Sequence, residues 1–203
     1  MKNKSKSNGF SRRKFIKGVG TGVASTYLYT PGLAKITKKI EKETEDFIEG
    51  KQSVSLKVNG RQVKLKIKPN TTLVELLRDH LKLTGIKVVC NHGECGGCTV
   101  LLDGKAVYSC HILAMDAEGR EVTTIEGLMK GEELHPIQEA FKENDGLQCG
   151  FCTPGQVMAA QALLLKTPSP TREDVLKAMS GNLCKCAAYP KITESVLAAA
   201  ESK

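Results

Sequence analysis

Eight cysteines are the residues whose type and spacing most clearly indicate chemistry in this chain. Three of them stand in CNHGECGGC, residues 90–98, with three glycines among them. A disulfide needs only two cysteines, so the crowding predicts that the sulfurs surround something else, and glycine lets the backbone approach it closely. No cysteine occurs in residues 1–89, which confines the predicted chemistry to the rest of the chain.

The first set of thiols has the spacing C-x4-C-x2-C-x11-C. Three closely spaced cysteines followed by a distant fourth resemble the plant-type ferredoxin pattern, in which four thiolates bind a 2Fe–2S cluster. A cluster with its thiolates is an anion, and the backbone N–H groups of a loop wrapped around it stabilise that charge. We therefore predict metal ligands at Cys90, Cys95, Cys98 and Cys110.

The second set combines a C-x2-C pair with a C-x-C pair about thirty residues later. The first pair precedes a predicted helix, whose N-terminus favours negative charge, and the second pair lies between two predicted helices. Two inter-helix loops that meet at one end of a bundle would gather these thiols. We predict a second 2Fe–2S cluster with the ligands Cys149, Cys152, Cys184 and Cys186.

Other uses of cysteine fit these spacings less well. Zinc sites favour paired C-x2-C knuckles, from which C-x4-C and C-x-C depart. Disulfides suit an exported chain with an even number of cysteines, but such close pairs make poor bridges. Buried inert thiols would not explain the grouping. Nearby His92, His111 and His135 are expected to be surface or capping residues, because four thiols per cluster leave no vacancy for them.

The elements before residue 126 predict a small mixed sheet with one helix across it. Apolar residues alternate over 54–58 and 63–67 around an Asn59-Gly60 turn, as in a β-hairpin. A helix capped by Thr71 or Thr72 follows, with Leu73, Leu76, Leu77 and His80 expected near one face. Two further strands flank Asp103-Gly104, and REVTTIEGL predicts another strand.

The second half predicts four short helices in a small bundle. Pro136 opens the first, Thr153 is expected to cap the second, and Thr171 caps the third, with Asp174 three residues on in an arrangement close to a capping box. Gly181 ends the third helix, and Pro190 opens the fourth. The chain as a whole is therefore predicted to be α+β.

The N-terminus carries the basic balance of the chain. Residues 1–34 hold seven Lys or Arg and no acidic residue, which leaves 23 basic against 22 acidic residues elsewhere in a chain of net charge +8. The charge therefore gives no support to nucleic-acid binding. Arg12-Arg13 followed by a weakly apolar stretch resembles a twin-arginine export signal cleaved after Ala34, which predicts a periplasmic location. An uncleaved signal acting as a weak membrane anchor is the alternative, since the stretch is short for a span.

Both halves together resemble the iron–sulfur small subunit of the molybdenum hydroxylases, the group of xanthine dehydrogenase, aldehyde oxidoreductase and isoquinoline oxidoreductase. The resemblance covers about residues 53–200 and rests on CNHGECGGCTVLLDGKAVYSC, TTIEGL, LQCGFCTPGQVM and GNLCKCAAYPKI. It implies an N-terminal ferredoxin-like β-grasp domain and a C-terminal four-helix 2Fe–2S-binding domain. The predicted segments are a signal over 1–34, a charged linker over 35–52, and domains over 53–127 and 128–203.

The resemblance also implies an electron relay without substrate chemistry in this chain. A large molybdopterin-binding subunit would oxidise an aldehyde or N-heterocycle, and Gln148 and Gly150 would approach the pterin. Electrons would pass through the helical site, then the ferredoxin-like site, to an FAD subunit or a cytochrome-type acceptor. A free-standing periplasmic ferredoxin and a zinc or disulfide scaffold are the competing hypotheses. An apolar surface around Cys149 would favour the relay, and a polar one the free ferredoxin.

One segment departs from the family pattern. The family usually reads GNLC-R-C-TGY where this chain has GNLC-K-C-AAY. The thiols are intact, so cluster binding is expected to survive, while Lys185, Ala187 and Ala188 are expected to change the local contacts of the loop.

Overall fold

A β-hairpin begins the fold. The structure is a computed structural model that describes residues 50–202. Strand β1 (Gln52–Val58) pairs antiparallel with β2 (Arg61–Ile67). Asn59 and Gly60 join them with φ angles of 49° and 79°, the positive values that a two-residue hairpin turn requires. The predicted hairpin is confirmed.

Three more strands complete a mixed sheet. Strands β3 (Thr99–Leu102) and β4 (Lys105–Tyr108) form the second predicted hairpin, and β5 is Glu121–Thr123. The sheet order is β2-β1-β5-β3-β4, with β1 and β5 parallel and the other neighbours antiparallel. The sheet and its helix agree with the α+β prediction.

The helix beside the sheet begins with a capping box. The hydroxyl of Thr72 accepts a hydrogen bond from the Glu75 N–H, and the Glu75 carboxylate accepts one from the Thr72 N–H. This helix, α1 (Leu73–Glu75), continues as a wider π-helical turn over Leu76–His80. Its leucines are buried as predicted, but His80 is exposed. The prediction that His80 shares their face is wrong, because a π-helical turn moves residues around the axis by a smaller angle than an α-helical turn.

The second half of the described chain is helical. Helix α2 is Pro136–Glu143, α3 is Thr153–Lys166, α4 is Arg172–Met179 and α5 is Tyr189–Glu201. Thr171 and Asp174 form the predicted capping box. Thr153 is not a cap: Cys152 holds the cap position, and Thr153 is the first helical residue. The buried hydroxyl of Thr153 has no hydrogen-bond partner among the described residues.

Strand β3 connects two hydrophobic cores. Leu101 is 3% exposed and packs with the helices, while Val100 and Leu102 pack with the sheet core and α1. Successive residues of a strand point to opposite faces, so β3 is buried on both sides. From Lys51 onward the chain forms one compact unit.

Some predictions concern residues that the structure does not describe or test. The predicted signal, residues 1–34, and nearly all of the 35–52 linker lie outside the described residues. The domain limits at 53–127 and 128–203 stay predictions. Within residues 50–202 no helix is both long and apolar enough to span a membrane.

The shared position of β3 makes Leu101 a test of the packing between the halves. Because its side chain is buried in the helical core, we expect Leu101→Ala to lower the free energy of unfolding by about 2–5 kcal/mol, measured by urea denaturation. Lys64→Ala, at an exposed position on β2, is the matched control. A Leu101→Ala variant as stable as the control would contradict this packing.

Candidate functional site

The first set of thiols is gathered by a hairpin and the loop before it. Cys98 immediately precedes β3, and Cys110 follows β4 in a short 3₁₀ turn. The hydroxyl and the N–H of Ser109 both donate to the Cys98 carbonyl, at 2.7 and 3.3 Å, so strand pairing sets these two thiols side by side. Cys90 and Cys95 lie in the preceding loop and interact with each other.

The electrostatics of this set differ from one end to the other. The backbone N–H groups of His92 and Glu94 lower the pKa of the Cys90 thiol to about 6, and the His92 nitrogen lies 3.4 Å from that sulfur. Burial raises the pKa of Cys110 to about 11, and the charges of Cys98 and Cys90 add to the effect. The Gly93 N–H acts in the opposite direction on Cys110. All of the predicted ligands therefore form one group, with backbone N–H donors near both Cys90 and Cys110.

The second set is gathered by the loops at the starts of α3 and α5. Cys152 interacts with Cys184, and Cys149 interacts with Cys186. Burial raises the pKa of Cys152 to about 12, whereas the Phe151 N–H lowers the pKa of the exposed Cys149. The charge of Cys149 also acts on Cys152, so the pairs form a single group. Like the first set, this one combines a thiol whose pKa is raised by burial with one whose pKa is lowered by a backbone N–H group.

Both sets have the chemistry that a two-iron cluster requires. All eight cysteines are free thiols, and each set is arranged as two interacting pairs, as two irons with two thiolates each would need. No group of three or more Cys, His, Asp or Glu in the described part of the chain is arranged to hold a metal ion. A binuclear cluster spreads its ligands more widely than a single ion does. The buried, unpartnered Thr153 hydroxyl follows Cys152 directly and offers a further donor. The residues fit the group, and the ligand assignment stays a prediction.

The two thiol sets are joined by a buried junction that the sequence analysis missed. The Leu183 N–H donates to the Cys95 carbonyl at 2.9 Å, so residues next to one set bond directly to the other. The carbonyl oxygen of Gly96 lies where a Cβ on Gly155 would stand. A side chain at Gly155 would therefore separate the loops. Gly96 therefore faces the helical half as well as lying in the thiol loop.

Large apolar side chains are exposed next to Cys149. Leu147 is 41% exposed and Phe151 is 50% exposed, and they flank Cys149 on either side. The predicted cofactor-binding residues Gln148 and Gly150 lie in this same segment, where Gln148 is exposed and Gly150 has a φ of 78°. Leu183, in the loop that holds Cys184 and Cys186, is also exposed, as is Tyr189, the first residue of α5. This is the surface character that favours a protein partner.

The loop that departs from the family pattern keeps its thiols in place. Ala187 has a φ of 57°, and Ala188 is buried with a φ of −73°. The Tyr189 hydroxyl accepts a hydrogen bond from the Cys184 N–H at 2.9 Å. The ordinary backbone at Ala188 explains why alanine is accommodated there, while Ala187 adopts a left-handed conformation that favours glycine.

The nearby histidines behave as predicted. His92 and His111 are exposed, and Nδ1 of His135 accepts the Ile137 N–H at the start of α2.

Comparisons with known proteins agree with this arrangement. Residues 56–125 match the family described as "2Fe-2S iron-sulfur cluster binding domain", and residues 124–197 match the family described as "2Fe-2S binding domain". The chain is 51% identical to the nicotine 6-hydroxylase small subunit of Paenarthrobacter nicotinovorans over 144 residues, 71% of this chain and 87% of that protein. It is 42% identical to the xanthine dehydrogenase iron-sulfur-binding subunit of Escherichia coli, over 74% of this chain and 96% of that protein.

A solved structure supports the same likeness. The crystal structure of quinoline 2-oxidoreductase from Pseudomonas putida 86 contains a chain that superposes with a TM-score of 0.72 at 40% identity. The match covers 75% of this chain and 95% of that chain.

Backbone strain at Ala187 is open to direct measurement. We expect Ala187→Gly to raise the free energy of unfolding by about 0.5–1 kcal/mol, because the relief of the left-handed strain outweighs the added freedom of the unfolded chain. Ala188→Gly, one residue away, is expected to lower it by about 1–2 kcal/mol, since it removes a buried methyl group and gains no strain relief. Equal effects of the two substitutions in chemical denaturation would refute the assignment of strain to Ala187.

Proposed function

Because this chain belongs to the family of 2Fe–2S small subunits of molybdenum hydroxylases, we propose that it is the electron-relay subunit of such a complex. The first part of the chain acts as a ferredoxin-like β-grasp domain, and α2 to α5 act as a four-helix cluster-binding domain. No substrate chemistry takes place on the chain itself.

The chain's own residues hold and tune two 2Fe–2S clusters. When bound, a 2Fe–2S cluster accepts one electron and gives it up again. Cys90, Cys95, Cys98 and Cys110 hold one, and Cys149, Cys152, Cys184 and Cys186 hold the other. The N–H groups of His92 and Phe151, which already lower the pKa of Cys90 and Cys149, would stabilise the anionic thiolates. Burial of Cys110 and Cys184 would limit solvent access.

The apolar surface at Cys149 is the observation that carries this proposal. Leu147 and Phe151 bracket the most exposed thiol of the helical site, and a large molybdopterin-binding subunit would cover them. Gln148 and Gly150 then lie against the pterin, and electrons from aldehyde or N-heterocycle oxidation enter at Cys149. A free-standing periplasmic ferredoxin, the alternative, would be expected to present a polar surface here.

Electrons would leave through the ferredoxin-like site. Val88 and Val89 are exposed next to Cys90, a partly exposed thiol of that site. An FAD subunit or a cytochrome-type acceptor would dock there. The predicted twin-arginine signal adds export of the folded, cluster-loaded chain to the periplasm, because that route carries proteins that have already folded. Membrane association through an uncleaved signal is the alternative location.

Native purification tests the complex. A tagged full-length chain, isolated from its own source, is expected to bring down a large molybdenum-containing subunit, identified by mass spectrometry. Phe151→Ser should reduce the recovered partner at least several-fold, whereas Leu165→Ser should not, because Leu165 is equally exposed but lies on α3 away from the thiols. Recovery of a stable, partner-free monomer from wild-type cells would refute the proposal.

Iron analysis of the same material tests the clusters. Two clusters require about four iron and four acid-labile sulfide per chain. A colourless preparation, or one that contains zinc instead, would refute the relay.

Reciprocal ligand substitutions separate the two sites. We expect Cys149→Ser to abolish reduction of the chain by the complex's substrate while the spectroscopic signal of the Cys90 site persists. Cys90→Ser should give the opposite result, with substrate reduction retained and transfer to the acceptor lost. EPR spectroscopy records the signal of each site in both variants. Loss of both signals in either variant would show that the sites are not independent.

A further inference from the structure

Two side chains outside the thiol sets form hydrogen bonds between residues near one set and residues near the other. We propose that Asn182 and Tyr108 are positioning residues that fix the distance and orientation of the two sites, and so set the rate of electron transfer between them. This inference rests on the proposed function, since it assumes that both sites are loaded. The step moves one electron: the helical site is oxidised by one electron, the ferredoxin-like site is reduced by one, and no bond forms or breaks.

Asn182 connects three segments of the chain at once. It lies two residues before Cys184 and is 4% exposed. Its Nδ2 group donates to the Gly96 carbonyl at 2.9 Å and approaches the Thr99 hydroxyl at 3.2 Å. Its main-chain carbonyl accepts a hydrogen bond from Nε2 of Gln156 at 2.9 Å. The loop between Cys95 and Cys98, the start of β3 and the first turn of α3 are therefore tied to one residue.

Tyr108 makes the reciprocal connection from the other half. It lies at the end of β4, two residues before Cys110, and its hydroxyl donates to the Gly181 carbonyl at 2.8 Å. Since Gly181 and Asn182 are adjacent, both hydrogen bonds act on the same short segment before Cys184. One is donated by this segment and the other is accepted by it, and together they oppose its displacement relative to the sheet.

The glycines around Gly181 and Asn182 are packed too closely to accept a side chain. A Cβ on Gly181 would overlap the Tyr108 hydroxyl, and a Cβ on Gly96 would stand 2.6 Å from Nδ2 of Asn182. Gly155 is likewise closed off by the Gly96 carbonyl. Packed interiors accept discrete arrangements rather than continuous deformation. The hydrogen bonds of Asn182 and Tyr108 thus select one separation of the sites from those that the loops alone would permit.

The position of these contacts distinguishes positioning from general stabilisation. Each cluster needs only its own thiols and N–H donors, and neither Asn182 nor Tyr108 bonds to a predicted ligand sulfur. Removing either side chain should leave both sites loaded but loosely oriented. Asn182→Ala is expected to fold, because the Thr99 hydroxyl still donates to the Gly96 carbonyl and Gln156 still bonds to the main chain of residue 182.

The test uses the complete complex and three variants of this chain. Asn182→Ala and Tyr108→Phe remove the two connections, and Asn144→Ala is the matched control, since Asn144 makes a single side-chain hydrogen bond to the Ala140 carbonyl within the helical half. Iron content verifies loading. In the fully reduced state, EPR spectroscopy records the magnetic splitting between the two clusters, which depends on their separation and orientation. Flash reduction records the rate at which the electron redistributes.

We expect Asn182→Ala to weaken or broaden the splitting and to slow redistribution several-fold, with a smaller change in Tyr108→Phe and none in Asn144→Ala. Unchanged splitting and rate in loaded Asn182→Ala and Tyr108→Phe would overturn the inference while leaving the relay intact. If Asn182→Ala does not contain the expected iron, the splitting and the redistribution rate of the milder Tyr108→Phe variant decide whether the inference holds. Absence of iron from the wild-type chain would instead refute the proposed function.

Discussion

The fold depends on a close approach between the backbone at Gly96 and the backbone at Gly155. The carbonyl of Gly96 occupies the space that a side chain on Gly155 would need, and this contact lets the loop of one thiol set touch the helix that follows a cysteine of the other. Through it the Leu183 N–H reaches the Cys95 carbonyl. The sheet, the helices and their caps all serve to bring these two loops to the same place.

The two sites share an electrostatic design although they are built from different elements. A strand hairpin holds one and helix ends hold the other, yet each combines a thiol whose pKa burial raises with one whose pKa backbone N–H groups lower. Such a combination gives every site an insulated side and an accessible side. Cys90 is partly exposed and Cys149 is exposed, and each is accompanied in sequence by exposed apolar residues, a surface character that favours protein partners.

Features set by local sequence were predictable, and those set by tertiary contacts were not. Asn59-Gly60 and the Thr171 capping box are encoded within a few residues, and the two thiol sets follow from spacing alone. The displacement of Thr153 from the cap by Cys152 depends on how the thiol loop enters the helix. The turn that exposes His80 needed π-helical bonding that periodicity does not reveal. Asn182 carried no signal beyond its place before a cysteine, because the partners of its side chain are more than eighty residues away.

The double burial of β3 bears on how such chains can be divided. Neighbouring residues of one short strand belong to different cores. A fragment that ends after the sheet would therefore expose Leu101 to solvent. The isolated helices would lack the strand that covers one side of their core. The two halves therefore share strand β3 and do not pack as independent domains. Transplanting either half onto another scaffold would therefore require a replacement for that missing surface.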